Sequence, residues 1–261
     1  MLPNSATCVR FSLPLWALLL SLLPACQSPR TLRILAYNVH HCEGTDGVLD
    51  VARIARLIQE HDPDLAVLQE IDKETRRTDA VDQTQRLGEL TGMHSVFGRF
   101  MDYQGGDYGM AILSRYPIIQ TENHHLPPGA EPRTALAVRV AVGEPKTEIV
   151  VVGIHLYRTQ DQRMAQAEAV IAALTSQDGP VILAGDFNST PGGPVMNRLA
   201  EEWESVPKAG SPFTFPSHDP GREIDHFLVR NLGRLRPLAA RVLDEEIASD
   251  HRPILLDLEI R

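Results

Sequence analysis

The stretch 180–188 sets the strongest limit on how this 261-residue chain folds. A short apolar run stops at Gly185, and Asp186 and Asn188 follow two positions apart. Apolar runs of this length that stop at glycine are typical of buried strands. Because residues i and i+2 of a strand share a face, we predict that Asp186 and Asn188 project together from a strand end. A carboxylate and an amide there suit a hard cation, an attacking water or a phosphate oxygen, although Asp-x-Asn is also a common turn sequence.

Similar runs recur along the chain and alternate with helical patterns. Helices are predicted from Asp50, which could cap the first of them, to about residue 62, and over 159–174. Strands are predicted at 32–38, 65–70, 109–114, 135–142, 148–155, 181–184, 224–229 and 254–260. No repeat or flexible linker interrupts this series, which favours one α/β domain with a site at its strand ends.

Polar residues stand at or beside the ends of these predicted strands. Each has an ordinary explanation alone, since a strand can simply end on a polar residue and a single histidine is usually structural. Ser249-Asp250-His251 cannot form a serine triad by itself, because adjacent residues do not face one another. The whole set is harder to dismiss: Asn38, Glu70, His155, Asp186 with Asn188, Asp225-His226 and Ser249-Asp250-His251.

In this order, the motifs resemble those of the endonuclease/exonuclease/phosphatase superfamily. The resemblance rests on Asn38, Gln69-Glu70, Ile154-His155-Leu156, Gly185-Asp-Phe-Asn188, Ile224-Asp-His226 and Ser249-Asp-His251. It spans residues 32–260 and implies a four-layer α/β sandwich, in which helices flank two packed β-sheets. It also implies hydrolysis of a phosphoester substrate, assisted by Mg²⁺ or sometimes Mn²⁺.

The resemblance also implies the metal ligands. By position, Glu70 is the expected principal ligand, Asn38 would hold a metal-bound water or a phosphate oxygen, and Asp250 could contribute. Oxygen ligands and few carboxylates suit Mg²⁺, which keeps several of its waters.

The catalytic roles follow in the same way. His251 is the expected general base, and Asp225 would fix its tautomer and stabilise the imidazolium. Asp186 would orient the nucleophile or assist the leaving oxygen. Asn188 and His155 would donate hydrogen bonds to the non-bridging phosphate oxygens.

The chain departs from the family pattern just after Asn38. Many relatives carry an acidic residue there, whereas here His40 and His41 follow, so we expect chemistry with one metal ion through Glu70. An alternative is that His40, His41 and Cys42 form a zinc site, since imidazole and thiolate favour zinc. Four further residues are candidates for the cleft wall, and for the three arginines among them a surface or structural role is the simpler interpretation: Tyr108, Arg115, Arg133 and Arg163.

The N-terminus has the pattern of an export signal. Arg10 precedes a short apolar run that ends at Ala25, which predicts a signal peptide over residues 1–25. Leu23-Pro-Ala-Cys26 resembles a lipobox, so Cys26 is the predicted lipidation site and membrane anchor. Pro24 is atypical there, which leaves ordinary cleavage open. Residues 26–31 would then form a tether and 32–261 the catalytic domain.

The net charge limits the choice of substrate. A formal charge of −9 lacks the basic footprint of a protein that grips long duplex DNA. We therefore expect a small or membrane-derived phosphoester, with an exported DNase I-like nuclease as the alternative. A catalytically silent binding lipoprotein is the alternative from another class, but it would have no physical need for the full polar set.

Overall fold

The computed structural model describes residues 30–261, which form thirteen strands and four α-helices. The predicted signal peptide, Cys26 and most of the tether lie outside the described residues. The strands are β1 Arg30–Asn38, β2 Leu65–Lys73, β3 His94–Tyr103, β4 Gly106–Ser114, β5 Gln120–His125, β6 Thr134–Val142, β7 Thr147–His155, β8 Val181–Asp186, β9 Glu204–Ser205, β10 Lys208–Ala209, β11 Asp225–Arg230, β12 Leu235–Val242 and β13 Ile254–Ile260. The helices are α1 Val51–His61, α2 Gln83–Thr91, α3 Gln160–Leu174 and α4 Pro194–Leu199.

The strands form two sheets of mixed direction. One sheet has seven strands in the order β10-β12-β13-β1-β2-β4-β3, and the other has six in the order β5-β6-β7-β8-β11-β9. The central pairs β1–β2 and β7–β8 are parallel, whereas β13 and β11 run antiparallel to β1 and β8. The ends of β1 and β2, and likewise those of β7 and β8, therefore lie side by side.

Side-chain alternation explains why the sheets stack into four layers. In β1, Leu32 and Ile34 belong to the core between the sheets, while Leu35 belongs to the core shared with α1 and α2. In β8, Ile182 packs between the sheets, and Leu183 packs with α3 and α4. Because neighbouring strand residues point to opposite faces, each central strand serves two apolar cores. This arrangement confirms the predicted four-layer α/β sandwich.

The helix boundaries follow the predicted capping signals. The Asp50 side chain accepts a hydrogen bond from the Arg53 backbone N–H at the start of α1, as expected for an N-cap. That helix ends at His61, and Asp62 after it adopts a left-handed conformation before Pro63. None of the helices in the described part of the chain is both long and apolar enough to cross a membrane.

Several elements differ from the sequence-based expectations. The first strand begins at Arg30 rather than residue 32, and β2 continues beyond Glu70 to Lys73. The sequence patterns predict no helix or strand over residues 75–107 or at His124-His125. Instead, α2 and β3 lie in the first segment, and the histidines end the edge strand β5. Polar sequences at a sheet edge do not show the apolar runs that reveal central strands.

We predict that Gly185→Ala strongly destabilises the protein. Gly185 has φ +136°, and an added Cβ would lie 2.2 Å from the Ile154 carbonyl oxygen and 2.9 Å from the Gln69 side chain. Since these neighbours belong to both sheets, relief requires backbone movement, and we expect a loss of at least about 3 kcal/mol in chemical denaturation. Gly221→Ala, which meets no atom within 4 Å, is the control and should change stability by less than about 0.5 kcal/mol. Equal losses in the two variants would contradict this account of Gly185.

Candidate active site

The strand ends surround a cavity of about 440 Å³ at one end of the sandwich. Asn38 and Asp225 are buried directly behind its wall and contact residues that line it. The structure therefore brings together every predicted catalytic and metal-binding residue within the domain. Those that line the cavity are Glu70, His155, Asp186, Asn188, Asp250 and His251.

Glu70 reaches the cavity because β2 is interrupted by a β-bulge. Pairing with β4 shifts register between Gln69 and Ile71, and Glu70 between them has φ +60°. A left-handed backbone at a residue other than glycine costs about 1–3 kcal/mol and is concentrated at functional sites. The sequence pattern suggested that β2 ends at Glu70, whereas the structure re-aims this one side chain within a continuous strand.

Asn38 links the two sheets at the base of the cavity. Its side-chain N–H₂ donates to Glu70 Oε1 at 3.0 Å and to Asp186 Oδ2 at 3.3 Å. Its backbone carbonyl accepts a hydrogen bond from Ser249 Oγ at 2.7 Å, which anchors the loop that carries His251. The position that the sequence suggested for a water or phosphate contact thus also cross-links three parts of the site.

Asp186 and Asn188 do lie together, but a turn places them rather than strand alternation. Asn188 has φ +48°, and its backbone N–H donates to Asp186 Oδ1 at 2.7 Å. Its side-chain amide donates to the Leu156 carbonyl at 3.0 Å and approaches Asp186 Oδ2 at 3.4 Å. Asn188 therefore orients the Asp186 carboxylate as well as lining the cavity.

His251 lies between two buried carboxylates. Its Nδ1 is 3.0 Å from Asp225 Oδ2, and its Nε2 is 3.7 Å from Asp186 Oδ2. Thr214, which the sequence analysis did not single out, donates its hydroxyl to the same Asp225 oxygen. Asp186 and Asp225 are direct partners in the antiparallel β8–β11 register, which fixes the spacing of the two carboxylates.

The electrostatics of this trio favour an imidazolium on His251. Although burial opposes the charged form, Asp225 and then Asp186 raise the pKa of His251 to about 10. Burial alone would raise the pKa of Asp225, but His251 and the Thr214 hydroxyl lower it. Burial, with repulsion from Asp225, raises the pKa of Asp186 to about 7 despite its attraction to His251. Among the three groups, Asp186 is therefore the one whose pKa is shifted to the neutral range.

His155 is held as a neutral imidazole. Burial, followed by the positive charges of Arg133 and His251, lowers its pKa well below the ordinary histidine value. Its Nε2 lies 3.4 Å from Asp186 Oδ2 and 4.0 Å from Glu70 Oε1. His155, which the sequence predicts as a donor to phosphate oxygens, thus faces Asp186 and Glu70.

The carboxylate oxygens beside the cavity could act as ligands of a divalent cation. Glu70 is partly exposed to the cavity and pairs with no lysine or arginine among the described residues, and Asp250 also lines the wall. Carboxylate oxygens in a site that water can reach are ligands for hard divalent ions. The proposed zinc set of His40, His41 and Cys42 is wrong as written, because Cys42 packs in the apolar core beside α1.

Cations and aromatic rings form one wall of the cavity. Arg133 is 4% exposed and stacks within 6 Å of Phe100 and Tyr108, while Arg77 forms two hydrogen bonds with the buried Asp72 carboxylate. Tyr108 and Arg133 thus line the cleft as considered from the sequence. Arg115 pairs with Asp62 and Arg163 contacts backbone carbonyls, and neither lines this cavity.

Sequence reasoning missed three of the four arginines that line the cavity. Arg77 lies in a segment for which the sequence predicts no helix or strand, and Arg158 and Arg222 are exposed on connecting segments. Each of the last two lies three residues from a predicted site residue, His155 or Asp225. This proximity is the signal that could have indicated them.

Comparison with known proteins agrees with the site. The model of the Endonuclease/Exonuclease/phosphatase family matches residues 35–251. The uncharacterised protein YbhP of Escherichia coli K12 is 31% identical over 173 residues, which cover 63% of this chain and 68% of that protein.

Two solved structures illustrate the shared fold. An endonuclease/exonuclease/phosphatase from Beutenbergia cavernae has a TM-score of 0.71 and 24% identity, covering 88% of this chain and 72% of that one. The mannosyl-6-phosphatase Bt3783 of Bacteroides thetaiotaomicron has a TM-score of 0.70 and 18% identity, covering 87% and 99% respectively. With its motifs, fold and polar cavity, this chain belongs to the endonuclease/exonuclease/phosphatase family, whose members are hydrolases that act on phosphate esters.

Proposed function

We propose that this protein is a divalent-metal-dependent phosphoesterase that hydrolyses a small or membrane-derived phosphate ester by attack of an activated water. The observation that carries the proposal is the buried trio of Asp186, His251 and Asp225 beside the cavity that Glu70 lines. A binding protein gains nothing from an imidazole between two buried carboxylates, because such groups are expensive to bury. A hydrolase needs a proton acceptor and positive charge at one point.

Asp186 is the residue that we propose accepts the proton of the attacking water. A pKa of about 7 matches a general base that works near neutral pH, whereas a pKa of about 10 keeps His251 protonated. This assignment differs from the sequence-based expectation, which gave the base to His251. Asp225 holds the imidazolium in place, so its Nε2 side can stabilise negative charge that develops on the phosphoryl group.

Glu70, Asn38 and Asp250 are the residues that we propose hold the divalent cation, with Mg²⁺ expected and Mn²⁺ as the alternative. When bound, such an ion neutralises phosphate oxygens and lowers the pKa of a coordinated water. Asn38 would keep Glu70 and Asp186 at a fixed separation through its two hydrogen bonds. His155 and Asn188 would orient Asp186 through the contacts described above.

Arg77, Arg133, Arg158 and Arg222 line the cavity, and we call them the arginine wall. This wall favours a substrate with more than one anionic group. Arg158 and Arg222 line the cavity and form no ion pair among the described residues, and each guanidinium stacks on an aromatic ring, Tyr157 or Phe215. Unpaired guanidinium groups suit phosphate or carboxylate groups beyond the scissile bond. A cavity of about 440 Å³ is the size of a small-molecule site. Polymeric DNA is the alternative substrate.

We also propose that the protein is exported and anchored to a membrane through an acylated Cys26. The support is the basic and apolar N-terminal sequence followed by Leu23-Pro-Ala-Cys26. A tether of a few residues would then hold the domain close to the lipid surface, where a membrane-derived substrate is available.

The pH dependence of kcat/KM tests the assignment of the base. The rate should rise with pH through about 7 as Asp186 loses its proton, and fall near 10 as His251 becomes neutral. Asp186→Asn should lower kcat by about 10²–10⁴-fold and remove the acid limb of the pH profile, which is the rise of kcat/KM through a pH of about 7. Asp178→Asn, at an exposed carboxylate, is the control. If the acid limb persists unchanged in Asp186→Asn, the proton acceptor is His251 instead.

A substrate panel tests the arginine wall. Replacing Arg158 and Arg222 together by alanine should raise KM for an inositol polyphosphate by about tenfold or more, with kcat little changed, because charge-assisted hydrogen bonds are lost. Bis-p-nitrophenyl phosphate carries one charge, so its kinetics should hardly change. Arg115→Ala is the matched control, since Arg115 lies away from the cavity. Rapid DNA cleavage without turnover of the small esters would contradict the small-substrate proposal.

Metabolic labelling with a fatty acid tests the anchor. Wild-type protein should incorporate the label and fractionate with membranes, and Cys26→Ser should do neither. Cys8→Ser, within the predicted signal peptide, should behave like wild type. An unlabelled mature protein that begins at Cys26 and is recovered in the soluble exported fraction would refute acylation and support ordinary cleavage.

A further inference from the structure

Three consecutive residues beside the cavity have an uncommon backbone conformation. His40, His41 and Cys42 have φ values of +46°, +43° and +63°. Left-handed conformations cost energy in residues other than glycine and tend to persist where a function requires them. The turn is held in place, because the His41 carbonyl accepts a hydrogen bond from Gln83 at 2.6 Å and the Cys42 carbonyl accepts one from the Asp50 N–H at 2.9 Å.

The turn directs two imidazoles towards Glu70. While Cys42 packs into the apolar core, the rings of His40 and His41 lie 4.4 Å apart at their centroids, with an interplanar angle of 62°. One ligand atom from each ring and one carboxylate oxygen of Glu70 all lie within 4.8 Å of one another. Adjacent residues do not normally share a face, and the left-handed backbone is what lets these two converge.

Glu43 occupies one nitrogen of each ring and leaves the other available. His40 Nδ1 lies 3.2 Å from the Glu43 carbonyl oxygen, and His41 Nε2 lies 3.4 Å from the Glu43 carboxylate. Metal-binding histidines characteristically use one ring nitrogen for the metal and hydrogen-bond the other to a carbonyl or carboxylate. In this arrangement, His40 Nε2 and His41 Nδ1 are the nitrogens left for an ion.

The His41 ring contains an unsatisfied buried nitrogen. His41 is 6% exposed, and its Nδ1 has no hydrogen-bond partner within the described chain. Burying a polar atom without a partner is unfavourable, so such atoms usually indicate a ligand or a functional role. This observation is independent of the convergence with Glu70 and concerns the same imidazole ring.

We infer that His40, His41 and Glu70 bind a first-row transition-metal ion, of the class of Zn²⁺, Co²⁺ or Mn²⁺, through two imidazole nitrogens and one carboxylate. Imidazole ligands suit such ions, whereas Mg²⁺ prefers oxygen ligands alone. Glu70 is also in the ligand set proposed above for Mg²⁺ or Mn²⁺, so the two imidazoles would bias the metal choice of the cavity. Mn²⁺ is the ion common to both ligand sets.

Cobalt binding tests this inference without any measurement of turnover. Full-length, tag-free protein is stripped of metal and titrated with Co²⁺, and the visible d–d absorption and binding isotherm are recorded. Wild type should bind one ion that excess Mg²⁺ does not displace. The double variant His40→Ala/His41→Ala should bind at least about 100-fold more weakly, and Glu43→Gln, which keeps both rings, about tenfold more weakly.

The chain provides a matched control in its second pair of consecutive histidines. His124→Ala/His125→Ala removes the same number of imidazoles from the edge strand β5 and should leave Co²⁺ binding unchanged. His251→Ala should lose hydrolysis but keep Co²⁺ binding, which separates this inference from the proposed reaction. The inferred metal site would be overturned if wild type and the His40/His41 double variant bound Co²⁺ with equal affinity and the metal-free proteins had matching unfolding curves. Equal weakening by the control pair, or displacement of Co²⁺ by Mg²⁺, would also overturn it.

Discussion

One imidazole between two buried carboxylates dominates the physical chemistry of this protein. Asp186 and Asp225 are 1% and 2% exposed, and each buried charge costs several kcal/mol unless it is compensated. The His251 proton compensates the pair, Asn38 and the Asn188 N–H donate to the two Asp186 oxygens, and Thr214 donates to the Asp225 oxygen that faces His251. Because Asp186 and Asp225 are register partners in β8 and β11, a shift of one strand by one residue would separate these groups and turn the carboxylate of the shifted strand to the other face.

The residues proposed for the chemistry and those proposed for substrate binding lie on different parts of the fold. The central strands supply Asp186, Asp225, Asn38 and Glu70, and the loop before β13, which Ser249 anchors to Asn38, supplies His251. The apolar faces of the strands pack into cores on both sides of each sheet. The connecting segments supply Arg77, Arg158 and Arg222, which face whatever enters the cavity. Rigid strands therefore set the chemistry, and loops set the choice of substrate, as in many enzymes built on layered folds.

Much of this arrangement was predictable because the central strands are apolar runs with polar ends. That signal located Asn38, His155 and Asp186, and the resemblance to a known family supplied the four-layer fold. The Glu70 bulge could not be predicted, since a register shift depends on the partner strand β4, which is distant in sequence.

Edge elements and electrostatics were the other failures of prediction. Strand β5 and helix α2 are short and polar, so local sequence patterns do not distinguish them from loops. The choice of base depends on pKa values that arise only when Asp186, Asp225 and His251 are buried together. Likewise, the convergence of His40 and His41 requires backbone angles that their sequence does not encode in any recognisable motif.

The most direct test of the account is hydrolysis of a broad phosphoester panel by metal-stripped protein before and after a divalent ion is restored, with wild type and His251→Ala measured side by side. We expect turnover of at least one small phosphate ester by wild type, dependence on the added ion, and a severe loss in His251→Ala. If wild type hydrolysed nothing with any divalent ion, or if His251→Ala were as active as wild type, the buried trio would not be a hydrolytic site.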